Sequence, residues 1–590
     1  MAPVALVAKI RYARLHGEKI LYRDPAALGM IWLTFWSIAS TIISVNYDRR
    51  LPFIMEKQKQ QGYPAILSKK WYLYLTEFFS GMSVMAAELG ASRLLAPYFS
   101  SSQIVWTIII GTIMIAMALG NIYGGRSADK DPDPDKLYKR ILFAAVWLAA
   151  IPFAGKFVIA GIAGLLVVTV STNFLIWAAF LTCMIVFVFP LFLLGTVTPS
   201  LVKYTVDSLD DSGQTVGTLG AFNTIGSIIG TFLPTFITIP AVGTSVTFLI
   251  FAGILLIIGI VYFVFAKGGK KSVVASVCLF LVCCVLSPSM SFAFWETALA
   301  YEGESVYNYL QVKDNENEAI LSTNVMIGVQ SIYKKSGGLT GMYYDYAMAA
   351  PLMADKSSNK TDILILGMGT GTYAKQCTSY FDNVTIEGVE IDEKITQLAY
   401  EYFDLSKDIR VTTYDGRAFL NVCDKKYDVI MVDAYQDITI PFQMSSREFF
   451  TLVHDHLNDG GVMVVNMNMR SEKDDAINAW ISDTISDVFS EVYTLNIPTS
   501  TNSELFASDD PELLGRFREK SSALSSPELS AFMKSITDKL EHYESEGRIL
   551  TDDKAPVELL GMKVIDDLIQ SELVYYKNVI KEEGIQGLWE

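Results

Sequence analysis

Apolar residues are unevenly distributed along this chain. Through the first half they gather in windows of roughly twenty residues, near 26–45, 72–93, 103–123, 141–170, 174–198, 216–240, 245–266 and 272–290. Windows so long and so poor in charge predict about seven to nine membrane spans rather than core helices. The first lies too late, and has too few small residues after it, to be a cleaved signal. From about 293 onward the pattern shortens. SVYNYLQVKD, EAILSTNV and GVQSIYK alternate between polar turns and predict short strands, and GMYYDYAMAAPLM predicts a helix. Next come DILILG, VTIEGVEID, IRVTTYDGRAFL, YDVIMVDAYQ and GGVMVVNMN, interleaved with helical patterns such as EKITQLAYEYF. Strands alternating with helices predict a parallel, doubly wound Rossmann-like sheet. The run 510–590 is rich in helix formers and carries no motif with chemistry.

The expected organisation is therefore a multi-span α-helical membrane domain over 1–292, then a soluble α/β domain. The latter divides into a small β extension with a substrate-side segment (293–350), a nucleoside-cofactor domain (351–510) and a C-terminal helical region (511–590).

Within the apolar windows, Gly226 and Gly230 form a small-xxx-small pair, flanked by Gly217 and Gly220, which predicts close helix packing. Pro190, Pro199 and Pro234 predict kinks. Glu88 and Arg93 sit at the end of the second window, where a charge needs a partner or water; they read as a substrate path, a structural pair or an interfacial snorkel.

The net charge of −16 falls mostly in the second half. An acidic soluble domain argues against nucleic acid and suits cationic small molecules. The six cysteines show no metal spacing, and His454 and His456 diverge on a helix, so no metal site is expected. Lys and Arg cluster in 46–70, 124–140 and 267–271, and the positive-inside rule puts those loops in the cytoplasm. Simple alternation then sends the soluble domain outside, whereas a cofactor made in the cytoplasm requires it inside. Two passes within 141–170, or an interfacial last segment, would reconcile the two. The soluble domain is accordingly expected in the cytoplasm, beneath a lipid-embedded anchor.

The chemistry concentrates at DILILGMGTGTYAKQC, 362–377. An apolar strand enters a glycine loop, and the loop opens a helix. Gly367, Gly369 and Gly371 permit a tight turn and close backbone approach, and the helix start offers free N–H groups. Glu390, about twenty residues on, ends the next strand, where a carboxylate can bridge two ribose hydroxyls. Asp392, Asp415 and Asp433 also stand at strand ends, so four carboxylates are expected around one crevice beyond the sheet.

Here the chain resembles the spermidine synthases, aminopropyltransferases that share the fold of S-adenosylmethionine methyltransferases. The matching pieces run in order: ESVY (304–307), Gln330 in GVQS, Tyr343 and Asp345 in MYYDY, then GMGTG, VEID, YDG and VDAYQD. Membrane-fused relatives resemble it more closely still. The resemblance implies that Glu390 holds the cofactor ribose and that Asp415 with Gly416 sits by the adenine amine. It implies Asp433 as the catalytic acid residue assisted by Tyr343, with Gln330 and Asp345 on the amine side. The implied reaction is attack of an amine such as putrescine on the aminopropyl carbon of decarboxylated S-adenosylmethionine, releasing methylthioadenosine. A homodimer is a further expectation of the family.

Three departures bear on the substrate. Thr370 stands where these enzymes usually carry an Asp facing the ammonium of the decarboxylated cofactor; its hydroxyl would suit the carboxylate of intact S-adenosylmethionine. Gln436 stands where a second Asp is expected, with Asp437 one residue later, so amine binding needs a shifted loop. The substrate loop keeps only Pro441. Alternatives are a lyase cleaving intact S-adenosylmethionine, an amine N-methyltransferase, and a polyamine or nucleoside sensor or transporter.

Overall fold

The computed structural model describes residues 64–583, except 100, 170–172, 206–211, 290, 297–298, 326–328, 356–358, 435–440, 469, 472–475 and 499. The apolar window at 26–45 lies outside the described residues. The helical region comprises α1 (Lys70–Phe99), α2 (Gln103–Lys130), α3 (Pro134–Thr169), α4 (Phe174–Val186), α5 (Val188–Gly195), α6 (Val197–Thr205), α7 (Ser212–Leu233), α8 (Ile239–Ala266) and α9 (Lys270–Ser289). Among the described residues, five helical stretches are long and apolar enough to cross a membrane: Gln103–Lys130, Pro134–Leu166, Val188–Thr205, Ser212–Ala266 and Lys270–Pro288. The fourth is interrupted by a π-helical turn at Pro234–Thr238 and by Gly243, whose φ of +78° breaks the helix. The prolines at 190 and 199 fall within α5 and α6, the short pieces into which the 174–198 window and its continuation divide.

The glycine pair works as its spacing predicts. A Cβ on Gly226 would lie 2.0 Å from the carbonyl oxygen of Phe78, and one on Gly230 2.1 Å from that of Met82, so α7 packs backbone to backbone on α1. Gly217 and Gly220 face open space. The bundle also buries a carboxyl that spacing did not single out. Glu77 on α1 accepts from Asn223 Nδ2 at 2.7 Å and from the Thr198 hydroxyl.

The bundle has two chemically distinct ends. At one, Lys203 pairs with Asp129, Arg140 donates to Ser127, and Tyr262 donates to Asp135. At the other, Tyr98 donates to the Phe292 carbonyl, the Val325 N–H to Pro97, and Thr244 to Glu304, which seats the β domain. The basic loops at 124–140 and 267–271 and the β domain thus lie at opposite ends, while most of the basic segment 46–70 lies outside the described residues. α3 is one continuous helix and α9 runs directly from the basic end to the domain, so neither reconciliation offered by the sequence applies. The expectation that both the basic loops and the domain face the cytoplasm is corrected on this point.

Beyond the bundle, β1 (Leu299–Glu304), β2 (Tyr309–Asp314), β3 (Glu318–Ser322) and β4 (Ser331–Lys334) form a four-stranded antiparallel meander. Two short helices follow, α10 (Tyr343–Ala347) and α11 (Ala349–Met353). The main sheet contains β5 (Thr361–Leu366), β6 (Val384–Glu390), β7 (Arg410–Thr413), β8 (Tyr427–Val432), β9 (Leu457–Met467), β10 (Glu491–Asn496), β11 (Ser503–Ser508) and β12 (Glu541–His542). Their order is β12-β10-β11-β9-β8-β5-β6-β7. Strands β7, β6, β5, β8 and β9 are parallel, whereas β11, β10 and β12 add on as antiparallel neighbours. The sheet is therefore mixed, where the alternation of strands and helices predicted a parallel one. Its short tail explains the difference: β10 and β11 are joined by a turn too short for a crossover helix.

The central parallel strands β5 and β8 are buried on both faces. Leu364, Leu366, Ile430 and Val432 enter one cluster, and Ile363, Ile365, Val429 and Met431 enter another. Helices α12 (Thr372–Tyr380), α13 (Glu393–Tyr402), α14 (Gly416–Leu420), α15 (Arg447–Asp455) and α16 (Ile477–Ser486) separate the strands. The C-terminal run forms α17 (Leu513–Ser522), α18 (Pro527–Thr537) and α19 (Val557–Glu583), with β12 between the last two.

Candidate active site

A cavity of about 330 Å³ opens at the carboxyl ends of β5, β6 and β8, where an open sheet of this kind places its ligand. Local sequence shapes its floor. Gly367 has φ +87° and Gly369 φ +54°, in the left-handed region that favours glycine, and a Cβ on Gly367 would lie 2.3 Å from the Asp433 carbonyl oxygen. The β5 loop therefore closes against the end of β8, and Gly367, Gly369, Glu390 and Asp433 come to line one cavity.

Glu390 is buried and accepts the N–H groups of Gly369 at 2.8 Å and Asp392 at 2.9 Å. Burial outweighs those bonds and pushes its carboxyl up to about 7. Asp433 accepts from the Tyr343 hydroxyl at 2.5 Å on Oδ2 and from Asn466 Nδ2 at 2.9 Å on Oδ1. Burial again dominates, the charge of Glu390 adds to it, and the carboxyl stands at about 7. The Tyr343 phenol is held well above its ordinary value by burial and by Asp433, so it remains a donor.

The remaining sequence-derived residues separate into two groups. Gln330, Asp415 and Gly416 line the cavity; Asp415 caps α14 through Ala418 N at 2.8 Å and leaves its other oxygen free of that bond. Asp392, Asp345, Thr370 and Gly371 do not line it. Asp392 caps α13 through Lys394 N, and Asp345 is enclosed by Thr340, the Gly341 N–H and Gln376. The Thr370 hydroxyl is buried 3.2 Å from that of Thr372, and Gly371 supplies the left-handed residue before α12. The motifs suggested direct contact of these four with a ligand; they stand outside the cavity lining, bonded to the segments that form it. Gln436 and Asp437 lie outside the described residues.

Three features escaped the sequence reading. Asn466 follows the apolar run Val462–Val465 one residue before the end of β9, and only the fold brings it to Asp433. Glu504 on β11 stands opposite Asn466; it is fully buried, and among the described residues neither carboxyl oxygen has a hydrogen-bond partner. Burial, with the Asp433 charge adding to it, pushes its carboxyl well above the ordinary carboxylate value. Finally, Ser101 and Gln103 of the helical region line the same cavity, as does Glu558.

A spermine/spermidine synthase domain model matches residues 341–508, which span this cavity's sheet. A probable polyamine aminopropyl transferase of Bifidobacterium longum is 53% identical over 348 residues, covering 56% of this chain and 77% of that protein. The chain belongs to the polyamine aminopropyltransferase family. Within that family, the polyamine aminopropyltransferase of Vibrio vulnificus is 28% identical over 298 residues, 48% of this chain and 96% of its own. The crystal structure of a probable spermidine synthase from Corynebacterium glutamicum aligns with 41% of this chain and 95% of its own, at 18% identity and a TM-score of 0.33. Membership of the family implies a substrate derived from S-adenosylmethionine. Here an aminopropyltransferase-like domain is fused to a region of membrane-span-like helices.

Proposed function

We propose that this protein transfers an aminopropyl group from decarboxylated S-adenosylmethionine to a diamine such as putrescine, releasing methylthioadenosine. The observation that carries this reading is Asp433, bonded by Tyr343 and Asn466, in the cavity that also holds Gly367, Gly369 and Glu390. Glu390 takes the ribose hydroxyls, and Asp415 with Gly416 takes the adenine end. Gln330 and Tyr343 face the amine.

The sulfonium is already a good leaving group, so the chemical demand falls on the nucleophile. An alkylammonium has a pKa of about 10 and no free lone pair at neutral pH. Asp433, ionised, takes a proton from it. The nitrogen lone pair forms the new C–N bond as the C–S bond breaks, and the electron pair of that bond leaves sulfur as a neutral thioether. Asp433 and Tyr343 act by aiming the nitrogen as much as by basicity. The Bifidobacterium relative, a probable polyamine aminopropyl transferase, supports this reading.

Chromatography with mass detection on the purified full-length protein tests it. Intact and decarboxylated S-adenosylmethionine are supplied separately, each with and without putrescine. Methylthioadenosine and spermidine formed only from the decarboxylated compound with putrescine are expected. Methylthioadenosine from the intact compound alone would replace the transferase by a lyase, and adenosylhomocysteine would make it a methyltransferase.

A further inference from the structure

Two walls of the cavity are held by hydrogen bonds that leave the β domain altogether. The turn between β1 and β2 brings Tyr307 and Asn308 into the lining. The carbonyls of Ser305 and Val306 in that turn accept from the guanidinium of Arg93, near the end of α1, the first at 3.5 Å. From the same turn, the Ser305 hydroxyl at 2.5 Å and the Asn308 amide at 3.0 Å donate to Oδ2 of Asp392. The Asp392 N–H in turn donates to Glu390. A continuous line of contacts therefore joins a helix of the bundle to the carboxylate assigned to the ribose.

The second wall is built at the start of α2. Ser101 and Gln103 line the cavity, and the Gln103 N–H donates to Oε2 of Glu558 at 2.7 Å. Glu558 lies in the first turn of α19 and lines the cavity too. These partners are 455 positions apart in the chain, and their bond ties the C-terminal helix to the helical region at the cavity itself. An anchor would need one span and no contact with the substrate site. A guanidinium bridging two carbonyls of one turn does something else: it sets the position of that turn.

We propose that the helical region is a working part of the substrate site, with Arg93 and Gln103 as positioning residues for the two walls of the nucleoside cavity. Affinity for the sulfonium nucleoside then depends on how the β domain is seated on the bundle. The inference rests on the proposed function for the identity of the ligand, and on geometry for the rest.

The test uses full-length protein in lipid nanodiscs, with calorimetric binding of methylthioadenosine alongside KM and kcat. Gln103→Pro removes the N–H donor together with the Gln103 side chain, at the first residue of α2 after an extended Ser102, where proline is well tolerated. Gln103→Ala, which keeps the N–H, controls for the side chain and should bind as wild type. Glu558→Ala removes the acceptor, Glu558→Gln keeps one, and Arg93→Lys keeps the charge but not the bridging geometry. Gln103→Pro and Glu558→Ala are each expected to weaken binding about 10-fold, about 1.4 kcal/mol, while kcat stays within about 2-fold. Their combination is expected to be no worse than either alone, since both break one contact. Glu558→Gln should bind nearly as wild type, and Arg93→Lys should raise KM. Unchanged affinity in Gln103→Pro and Glu558→Ala, an additive double variant, or a loss confined to kcat overturns the proposal. If Gln103→Pro fails to fold, the contrast between Glu558→Ala and Glu558→Gln decides alone. Wild-type protein that binds no methylthioadenosine overturns the functional reading and this inference with it; normal wild-type binding with insensitive variants overturns this inference only.

Discussion

The Tyr343 hydroxyl donates to Oδ2 of Asp433 across 2.5 Å, joining a helix before the main sheet to the end of its fourth parallel strand. That bond stabilises the ionised carboxylate against the burial that raises it. Tyr343→Phe should therefore move the acid limb of the pH–rate profile upward and lower kcat about 10-fold, while Asp433→Asn should cost about 10²–10⁴-fold. Equal pH profiles for wild type and Tyr343→Phe would show that the phenol does not tune the base.

Asp433 and Glu390 both stand at about 7, so kcat/KM is expected to rise with pH through about 7 and level off above it. The sign for stability is opposite. Both carboxyls are raised above their unfolded values by burial, so their contribution to stability is present at low pH and is lost as pH climbs from about 4 to about 7. Asp433→Asn should accordingly stabilise the ligand-free protein by about 1–2 kcal/mol at pH 8, a value discounted for the wet cavity, and by little at pH 5. Thermal unfolding at the two pH values checks it.

Glu504 has no hydrogen-bond partner among the described residues, although it is fully buried one strand from Asn466. Glu504→Leu should raise stability by about 1–3 kcal/mol through removal of an unpaired polar group. Glu504→Gln should leave the pH–rate profile where it is, because burial disfavours the charged form of Glu504 and a neutral amide has the same shape. A shifted profile would mean that Glu504 ionises during turnover.

Gly226 and Gly230 bring α7 against the carbonyls of Phe78 and Met82. Alanine at either position should destabilise the bundle by about 1–3 kcal/mol through overpacking, whereas Gly217→Ala and Gly220→Ala should be tolerated. Detergent-resistant folding of the four variants, compared by thermal aggregation, separates the pairs.

The proposed function requires the β domain to meet a sulfonium nucleoside, a cytoplasmic metabolite. The basic end of the bundle then faces outward, against the positive-inside rule. An epitope inserted at 131–133 should be reached by antibody in intact cells. Detection only after permeabilisation would put the β domain across the membrane from its substrate.

Much of this was legible from local pattern. Period and length announce the apolar helices, because crossing a bilayer demands both. The β5 glycine loop, with Glu390 at the end of the next strand, announces the cavity proposed for the nucleoside, because one βαβ unit contains both. Even Gly226 and Gly230 could be read, since close packing leaves a four-residue spacing on one helix face. Tertiary structure decided what each polar group faces. Asp392 and Asp345 have the spacing of ligands, yet nearby N–H and hydroxyl donors claim their oxygens first. Thr370 turns inward to Thr372. Asp433 acquires Tyr343 from 90 residues earlier and Asn466 from 33 later, and Glu558 reaches the cavity only because the bundle meets it there. Spacing along a chain governs groups that one turn or one strand brings together; which distant groups share a cavity is set by packing of the whole.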